Sequence, residues 1–489
     1  MTLQRRGVLA GIGAGLVSGE AWAQDRATER AAVPPAPRPD PLPAARTTQH
    51  VLTVAGRTLR FSATAGSVTL ADGQGAPQAA VAYVAYTLEG AEAARRPVTF
   101  AVNGGPGASS AWLQLGAMGP WRLELANMAP SMATQLVDNA ETWLDFTDLV
   151  FIDPVGTGYS RFLATGEELR KRVWSVGGDI EAIAGAIRRW LVQAGRMGSP
   201  IFLAGESYGG FRGPRLARIL AQSHGVGLRG MVLVSPVLDF GGRSQAMDPM
   251  QFVATLPTLV AATRRATRRA EVADAEAYAA GEYLRDLLRG ADPEAVARRS
   301  ARVAALTGLD PVMVRRYGGT LDLSVIRRHL PAGRIASLYD LDVTMADPDP
   351  TAAFGREPDP VLDGLRAPLT AAMVGLYGGR LEWKVEAPYE LLNEAVNRGW
   401  DWGGGRVAAE SLNALRSALA LDPGLQVVVA HGLYDVVTPY FRSALQLELV
   451  EPGAGRDRVA LHAWPGGHMF YSRTEGRAAL RTEAARLYP

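Results

Sequence analysis

The chain has 489 residues, of which 47% are hydrophobic and 20% are charged, a composition typical of a globular protein with a large apolar core. Its formal net charge of only +2 excludes a strong field that would attract nucleic acid or an anionic membrane surface. The absence of cysteine excludes disulfides and thiolate zinc sites, and the six histidines show no H-E-x-x-H pattern, so we expect no metal or other cofactor.

The N-terminal sequence MTLQRRGVLAGIGAGLVSGEAWAQ has the features of a cleaved export signal. Arg5 and Arg6 precede a short, glycine-rich apolar stretch, and the tripeptide A-W-A has the small-x-small form of a cleavage site. The paired arginines indicate twin-arginine export, and the apolar stretch is too short to span a bilayer. We therefore predict a signal peptide at residues 1–23 and a periplasmic or extracellular protein. The alternative is an ordinary first helix.

After this signal a proline-rich stretch precedes a long region in which strand and helix patterns alternate. The sequence VPPAPRPDPLPAA indicates an extended linker, which we place at residues 24–48. Segments such as HVLTVAGRTLRFSATAG and SVTLADG predict consecutive strands with glycine-containing turns. Buried runs such as DLVFID and PIFLAG then alternate with amphipathic helices, which predicts a mostly parallel sheet flanked by helices. We assign residues 49–239 to the first part of this α/β core.

The alternation of strands and helices is lost between residues 240 and 400. This segment is rich in Ala and Arg at helical spacing, and Asp292-Pro293 is typical of a helix start. Acidic residues are interleaved with the arginines, so we interpret these residues as solvated helix faces and disfavour RNA binding. We predict a helical cap inserted at residues 240–400 and the second part of the α/β core at residues 401–489.

The segment LAGESYGGF places Ser207 between two glycines, in a G-x-S-x-G pattern. The bare pattern is weak, because 54 of the 489 residues are glycine. However, a buried strand precedes it and a helical pattern follows, which is the strand–turn–helix context of a nucleophile elbow. We therefore predict that Ser207 is a nucleophile.

A serine nucleophile needs a base, and the base needs an orienting carboxylate. In this architecture the chain order is serine, acid, histidine. Asp435 follows the strand LQVVVAHG and His468 follows the strand RVALHAW, each in a loop at a strand end. We predict that Asp435 orients His468 as the base, whereas His431 and His462 are structural.

The stretch VNGGPGASS at residues 102–110 follows another buried strand. Backbone N–H groups in such a glycine-rich turn can stabilise an oxyanion. Taken alone, the stretch could equally be an ordinary tight turn.

Five motifs occur in this order along the chain: NGGPGASS, FIDPVGTGYS, GESYGG, GLYD and GGHM. Together they resemble those of the serine carboxypeptidase family of α/β-hydrolases, over roughly residues 95–240 and 405–489. The resemblance, to a member of bacterial type, implies an α/β-hydrolase fold and hydrolysis of the C-terminal peptide bond through an acyl-enzyme. The implied partner is therefore a peptide with a free C-terminus.

The same resemblance implies further site residues by motif position. The backbone N–H groups of Gly105 and Tyr208 would form the oxyanion hole. The C-terminal carboxylate of the peptide would be bound by Asn103, Gly104 and a protonated Glu206.

The role of Glu206 has an alternative explanation, and its surroundings in the sequence differ from those in the family. The alternative is that Glu206 is an acidic residue complementing the dipole at a helix N-terminus. The departure is Ala117, which stands in LGAMGP where relatives commonly carry a second Glu. Without that neighbouring charge, we expect Glu206 to lose its proton at a lower pH than in a carboxyl pair.

Two other functions are compatible with this sequence. An esterase or acyltransferase could use the same triad, because each of these reactions is an acyl transfer. A catalytically silent exported binding protein is disfavoured, because all three triad residues are present in order. The oligomeric state is not predicted by any of these motifs.

Overall fold

The structure is a computed structural model that describes residues 41–489 except 127–128, 133, 242–247, 332, 352–357, 404–408, 452 and 454. The predicted signal peptide at residues 1–23 lies outside the described residues, as does the predicted linker up to residue 40. Residues 41–45 have no regular secondary structure, and the first strand begins at Arg46, shortly before the predicted linker ends.

Ten strands of the described chain form a central sheet, in the order β1-β2-β3-β7-β4-β9-β10-β13-β14, with β8 paired to β3. Two small hairpins, β5-β6 and β11-β12, lie outside it. The strands are β1 Arg46–Val54, β2 Arg57–Ala71, β3 Pro77–Leu88, β4 Val98–Val102, β5 Trp121–Arg122, β6 Val137–Asp138, β7 Asp148–Ile152, β8 Arg161–Phe162, β9 Ile201–Glu206, β10 Leu228–Val234, β11 Arg334–Ala336, β12 Thr344–Ala346, β13 Gln426–Gly432 and β14 Val459–Trp464.

The sheet has an antiparallel part and a parallel part. Strands β1, β2 and β3 form an antiparallel meander, and β3 is antiparallel to β7. From β7 to β14 all neighbouring strands are parallel. Every residue of β4, β7 and β9 is buried, as expected of parallel strands covered by helices on both faces. The segments predicted as separate strands within 57–71 form the single long strand β2.

Fourteen α-helices are described, and several begin at side-chain caps that the sequence supplies. Ser175 caps α2 by accepting a hydrogen bond from Gly178 N–H, and Asp292 caps α7 in the same way, as predicted. The helices are α1 Glu167–Val173, α2 Val176–Gln193, α3 Tyr208–Ile219, α4 Pro249–Arg264, α5 Ala273–Tyr278, α6 Leu284–Leu288, α7 Pro293–Thr307, α8 Pro311–Arg316, α9 Leu323–His329, α10 Leu362–Gly375, α11 Glu394–Arg398, α12 Leu412–Leu421, α13 Tyr440–Glu448 and α14 Thr474–Ala485.

Short π-helical and 3-10-helical turns complete the secondary structure. The π-helical turns are Leu113–Met118, Leu220–His224, Ala279–Tyr283 and Leu376–Arg380, and the 3-10 turns are Arg269–Val272, Arg456–Arg458 and Phe470–Ser472. None of the described helices is both long enough and apolar enough to cross a bilayer.

The described residues of the predicted cap, 240–400, carry α4 to α11 and the hairpin β11-β12. Apolar side chains of α4 to α9 share a core with α13 and the loop at 433–436. Side chains of α10 and of the segment that follows it pack in a second core, together with β1, β2 and β3. The segment therefore packs against the sheet-bearing part of the chain at two places.

The order of the parallel strands identifies the fold class. Strand β7 lies between β3 and β4, so the chain crosses over and returns before it continues along β9, β10, β13 and β14. Ser207 stands on the turn between β9 and α3. This mostly parallel sheet with a nucleophile elbow is the α/β-hydrolase fold, as predicted.

Candidate active site

Ser207 occupies a sharp turn that begins where β9 ends. Its backbone has φ 60° and ψ −118°, a conformation that is strained for a residue with a Cβ. The turn is held by hydrogen bonds from Ser207 N–H to Val234 O (2.9 Å) and from Gly210 N–H to Ser207 O (2.9 Å). The predicted strand–turn–helix context is confirmed.

Two glycines of the G-x-S-x-G motif are required by close backbone approach. A Cβ at Gly205 would lie 2.2 Å from Gly209 O, and a Cβ at Gly209 would lie 2.2 Å from Val102 O. No side chain fits at such distances, so only glycine allows this turn to pack beside β4.

His468 and Asp435 are brought together by two adjacent parallel strands. Asp435 follows β13 and His468 follows β14, so both lie beyond the same edge of the sheet. His468 Nδ1 is 2.7 Å from Asp435 Oδ2, and both side chains are buried. The geometry matches the predicted pairing of base and orienting acid.

Asp435 is held by four hydrogen bonds in total. Its Oδ1 accepts the N–H groups of Val437 (2.8 Å) and Thr438 (3.0 Å), and its Oδ2 accepts the Thr438 hydroxyl as well as bonding to His468. Burial by itself would raise the pKa of Asp435, but the charge of His468 and these hydrogen bonds outweigh it and lower the pKa. Asp435 is therefore stabilised as a carboxylate.

The segment 338–341 from the predicted cap links the loops that carry Asp435 and His468. Its backbone is hydrogen-bonded to both loops, and the Asp340 side chain accepts a further bond from the loop of His468. These bonds are Val436 N–H to Leu338 O (3.3 Å), Leu341 N–H to Tyr434 O (3.2 Å), His468 N–H to Tyr339 O (2.5 Å) and Gly467 N–H to Asp340 Oδ2 (3.0 Å). The spacing of the two loops is therefore fixed by a third segment.

The other two histidines discussed above, His431 and His462, make contacts away from the cavity that contains Ser207. His431 is buried, its Nε2 is 2.9 Å from Ser443 Oγ, and burial lowers its pKa to about 4. His462 stacks on Trp464 and lies 3.6 Å from Glu483. Neither lines the cavity that contains Ser207.

A cavity of about 160 Å³ contains seven of the eight predicted site residues. Asp435 lies behind His468 and does not line it. The seven are Asn103, Gly104, Gly105, Glu206, Ser207, Tyr208 and His468. A larger cavity, of about 1020 Å³, lies along β2, α1 and α2 and contains none of them. The smaller cavity is the candidate active site on chemical grounds.

The loop after β4 packs directly on the nucleophile elbow. A Cβ at Gly104 would lie 2.5 Å from Tyr208 N and 2.9 Å from the Cβ of Ser207. Gly105 has φ 97°, which favours glycine. The backbone of this loop therefore passes close enough to Ser207 for its N–H groups to reach an oxyanion there.

A buried arginine, Arg212, holds the loop after β4 in place. Arg212 on α3 forms a two-bond ion pair with Asp179 on α2, at 2.7 and 3.1 Å, and also donates to Asn103 O. Its guanidinium lies 4.8 Å from the centre of the Tyr208 ring. This contact was not predictable from the sequence, because Arg212 stands far along the chain from Asn103 and from Asp179.

Glu206 is buried and receives two hydrogen bonds on one oxygen. Asn103 Nδ2 donates to Glu206 Oε2 (2.8 Å), and the Tyr471 hydroxyl donates to the same Oε2 (2.7 Å). Burial raises the pKa of Glu206, although His468, Tyr471 and Asn103 oppose that shift. Because Glu206 is hydrogen-bonded to Asn103 and Tyr471, on two other segments, the alternative that it only complements the dipole of α3 is disfavoured.

Ala117 places no second carboxyl beside Glu206, and burial by itself raises the pKa of Glu206. The expectation that Glu206 loses its proton at a lower pH than a carboxyl pair does stays a prediction. Ala117 is buried in the turn Leu113–Met118, and a Cβ at the adjacent Gly116 would lie 2.7 Å from the Tyr471 ring. Tyr471 thus packs on the turn that carries Ala117. Sequence reasoning missed Tyr471, and its only signal was its position three residues after His468.

The described residues contain no group of three or more histidine or acidic side chains placed to bind a metal ion. The chemistry that the cavity offers is that of its serine, its histidine and its buried carboxyl group.

Comparison with known proteins gives a match to one family over part of the chain. A family model described as serine carboxypeptidase matches residues 57–268, a range that includes Asn103, Glu206 and Ser207. Residues 57–268 of this chain are therefore similar to serine carboxypeptidases. Asp435 and His468 lie beyond the matched range.

Curated members of this family are similar over a limited part of the chain. Serine carboxypeptidase-like 45 of Arabidopsis thaliana is 29% identical over 156 residues, which cover 30% of this chain and 31% of that protein. A pheromone-processing carboxypeptidase of Verticillium alfalfae is 30% identical over 161 residues, covering 30% of this chain and 24% of the relative. The matched part therefore spans less than a third of these relatives.

The solved structures that match this chain include two esterases. One is a thermophilic esterase from Thermogutta terrifontis, with 12% identity and a TM-score of 0.36, covering 87% of this chain and 99% of that chain. The other is a carboxyl esterase from Bacillus coagulans, with 12% identity and a TM-score of 0.38, covering 86% and 97%.

Proposed function

We propose that this protein is an exported serine carboxypeptidase that hydrolyses the C-terminal peptide bond of its substrate. The observation that carries the proposal is that Ser207, His468 and the buried carboxyl group of Glu206 line one cavity. Glu206 is hydrogen-bonded there to the amide of Asn103. A nucleophile with its base provides acyl transfer, and the carboxyl–amide pair provides recognition of a carboxylate.

In the proposed reaction, Ser207 Oγ attacks the scissile carbonyl carbon while His468 accepts its proton. Asp435, bonded to His468 Nδ1, holds the imidazole tautomer and stabilises the imidazolium that forms. The N–H groups of Gly105 and Tyr208 stabilise the oxyanion. His468 then gives the proton to the leaving amine, and water, activated by the same imidazole, hydrolyses the acyl-enzyme and regenerates Ser207.

Recognition of the free C-terminus is assigned to Asn103, Gly104 and Glu206. The Asn103 amide has two N–H donors, one of which goes to Glu206 Oε2. The second, together with the Gly104 N–H, would donate to the substrate carboxylate. Glu206 can donate only when it is protonated, and its burial in the cavity favours that form. Peptide binding should therefore weaken as pH rises through the pKa of Glu206.

The proposal also covers the organisation and export of the chain. We assign a cap to residues 240–400 and the hydrolase core to residues 49–239 and 401–489. We assign residues 1–23 to a twin-arginine signal, because Arg5 and Arg6 precede the apolar stretch. Replacing both arginines with lysine should block export, and normal export of that variant would point to the general secretory route.

Product analysis tests the activity directly. Mass spectrometry of an N-blocked peptide incubated with the enzyme should show stepwise loss of C-terminal residues, and the same peptide with a C-terminal amide should resist. Ser207→Ala should abolish the loss. Cleavage within the peptide would indicate an endopeptidase, and hydrolysis of simple esters alone would indicate an esterase or acyltransferase.

A further inference from the structure

The hydrogen bonds of Glu206 form an ordered chain that begins at a backbone N–H group. Leu113 N–H donates to Asn103 Oδ1 at 3.0 Å, which fixes the orientation of the amide. Asn103 Nδ2 must therefore point the other way, and it donates to Glu206 Oε2 at 2.8 Å. Since an amide nitrogen can only donate, the role of this Glu206 oxygen as an acceptor is fixed.

Tyr471 adds a second donor on the same oxygen. Its hydroxyl is 2.7 Å from Glu206 Oε2, and all three side chains are buried. An oxygen that accepts two hydrogen bonds is a poor site for a proton of its own, so a proton on Glu206 belongs on Oε1. Oε1 is then the atom that can donate to a substrate carboxylate in the cavity that Glu206 lines.

The Tyr471 ring is held against the turn that carries Ala117. A Cβ at Gly116 would lie 2.7 Å from Tyr471 Cε2 and 2.7 Å from Leu125 Cδ1, so Gly116 is required for the ring to pack there. The position of the hydroxyl is therefore fixed by the turn Leu113–Met118, which also supplies the Leu113 N–H that orients Asn103. One turn thus positions both donors to Glu206.

We propose that Tyr471 is a positioning residue for substrate recognition, whose hydroxyl takes the place of a second carboxyl group beside Glu206. Together with Asn103 it fixes Glu206 so that Oε1 presents its proton to the C-terminal carboxylate of the peptide. This inference rests on the proposed carboxypeptidase function. A phenol differs from a carboxyl as a partner because it adds no negative charge and keeps its proton over the working pH range: burial raises the pKa of Tyr471 well above its ordinary value.

The test compares Tyr471→Phe with the wild type on three substrates: an N-blocked dipeptide, its C-terminal amide, and a small nitrophenyl ester. The variant should raise KM for the free acid about ten-fold or more, because Glu206 would no longer be held with Oε1 facing the substrate carboxylate, and that hydrogen bond to a charged group would be weakened. Turnover of the ester and kcat/KM for the amide should change little. A matched control is Tyr283→Phe, which removes a buried hydroxyl that donates to Gly319 O in the predicted cap; all three substrates should be unaffected.

The pH dependence of kcat/KM distinguishes this role of Tyr471 from a purely structural one, which would leave the profile unchanged. The charged groups acting on Glu206 are His468 and Asp435, and its hydrogen-bond partners are Asn103 and Tyr471. Loss of the Tyr471 hydroxyl removes an interaction that favours ionised Glu206, so its pKa should rise further. The alkaline decline of kcat/KM for the free acid should therefore move to higher pH in Tyr471→Phe, with no corresponding shift for the ester.

The outcomes separate this inference from the proposed function. If the wild type treats acid and amide alike, the carboxypeptidase function fails and this inference with it. If the wild type prefers the acid and Tyr471→Phe keeps both that preference and the pH profile, only the role of Tyr471 is overturned. If Tyr471→Phe does not fold, Gly116→Ala is measured instead, because its added Cβ would displace the Tyr471 ring. Gly116→Ala should reduce the preference for the free acid. An unchanged preference would overturn the inference.

Discussion

Asp435 accepts hydrogen bonds from several groups besides His468, its proposed catalytic partner. Two backbone N–H groups hold Oδ1, and Oδ2 bonds to both His468 and the Thr438 hydroxyl. This arrangement keeps the carboxylate ionised and aims a single oxygen at His468 Nδ1. The orientation of the imidazole thus depends on Asp435 remaining an acceptor.

Asp435→Asn should therefore lower kcat by about 10⁴-fold with little change in KM, because the amide would favour the wrong imidazole tautomer. Steady-state kinetics with an N-blocked dipeptide measure this effect. Asp457→Asn, at an exposed position, is the matched control and should leave kcat unchanged. A loss of less than ten-fold in Asp435→Asn would remove Asp435 from the proposed triad.

Glu206 gives a prediction whose sign follows from burial. Its raised pKa means that the proton is present at acidic pH and is lost as pH rises through that value. Wild-type KM for a free-acid peptide should accordingly increase with pH. Glu206→Gln should show a KM nearly independent of pH, because an amide N–H donates at every pH. If KM for the wild type and for Glu206→Gln rose in parallel, Glu206 would not be the titrating donor.

Sequence reasoning located the residues whose local context is informative and missed those defined by distant contacts. Ser207 was predictable because its strand, turn and helix adjoin in the chain. Tyr471 was not, because it stands 265 positions from Glu206 and only packing brings the two together. The burial that raises the pKa of Glu206 was not predictable for the same reason, since it depends on segments that the motif does not contain.

At the scale of elements, the segment 338–341 is the part of the predicted cap that most directly concerns catalysis. It bonds to both loops that carry the proposed acid and base, and Asp340 Oδ2 accepts from Gly467 N–H (3.0 Å) and Arg473 (2.9 Å). Asp340 is nearly buried, so these bonds are shielded from water. The position of His468 should depend on them.

Asp340→Ala should lower kcat for peptide acid, amide and ester alike, by about ten-fold or more, while leaving the ratio of acid to amide unchanged. This uniform loss distinguishes displacement of His468 from damage to the carboxylate site. Asp342→Ala is the matched control, because Asp342 bonds to Arg473 (3.3 Å) but has no described bond to the loop of His468. Activity equal to wild type in Asp340→Ala would contradict the proposed role of the segment.

The ion pair between α2 and α3 makes a prediction about stability. Arg212 and Asp179 are both buried, and Arg212 also donates to Asn103 O. Arg212→Met would leave a buried carboxylate without its partner and should cost about 3–5 kcal/mol in the free energy of unfolding. Urea denaturation measures this cost. The exposed pair Arg398–Glu394 is the control, and Arg398→Met should cost at most about 1 kcal/mol; equal costs for both variants would contradict the account.

At the scale of the whole molecule, the parallel sheet assembles the site from distant parts of the chain. Asn103, Ser207, Asp435 and His468 follow β4, β9, β13 and β14, whose ends lie along one edge of the sheet. The mostly parallel architecture was predictable from the alternation of buried strands and helices. The limits of the cap remain a prediction, because the segment 240–400 packs into two cores that it shares with the rest of the chain.

In the proposed function, this cavity recognises a free C-terminal carboxylate beside an acyl-transfer centre. The decisive measurement is kcat/KM of the wild type for an N-blocked dipeptide and for its C-terminal amide, at acidic pH, where Glu206 is protonated. We predict a preference for the acid of at least about 100-fold, because the amide leaves polar groups of the site unpaired. Equal values for acid and amide would contradict the account and leave a general serine hydrolase in its place.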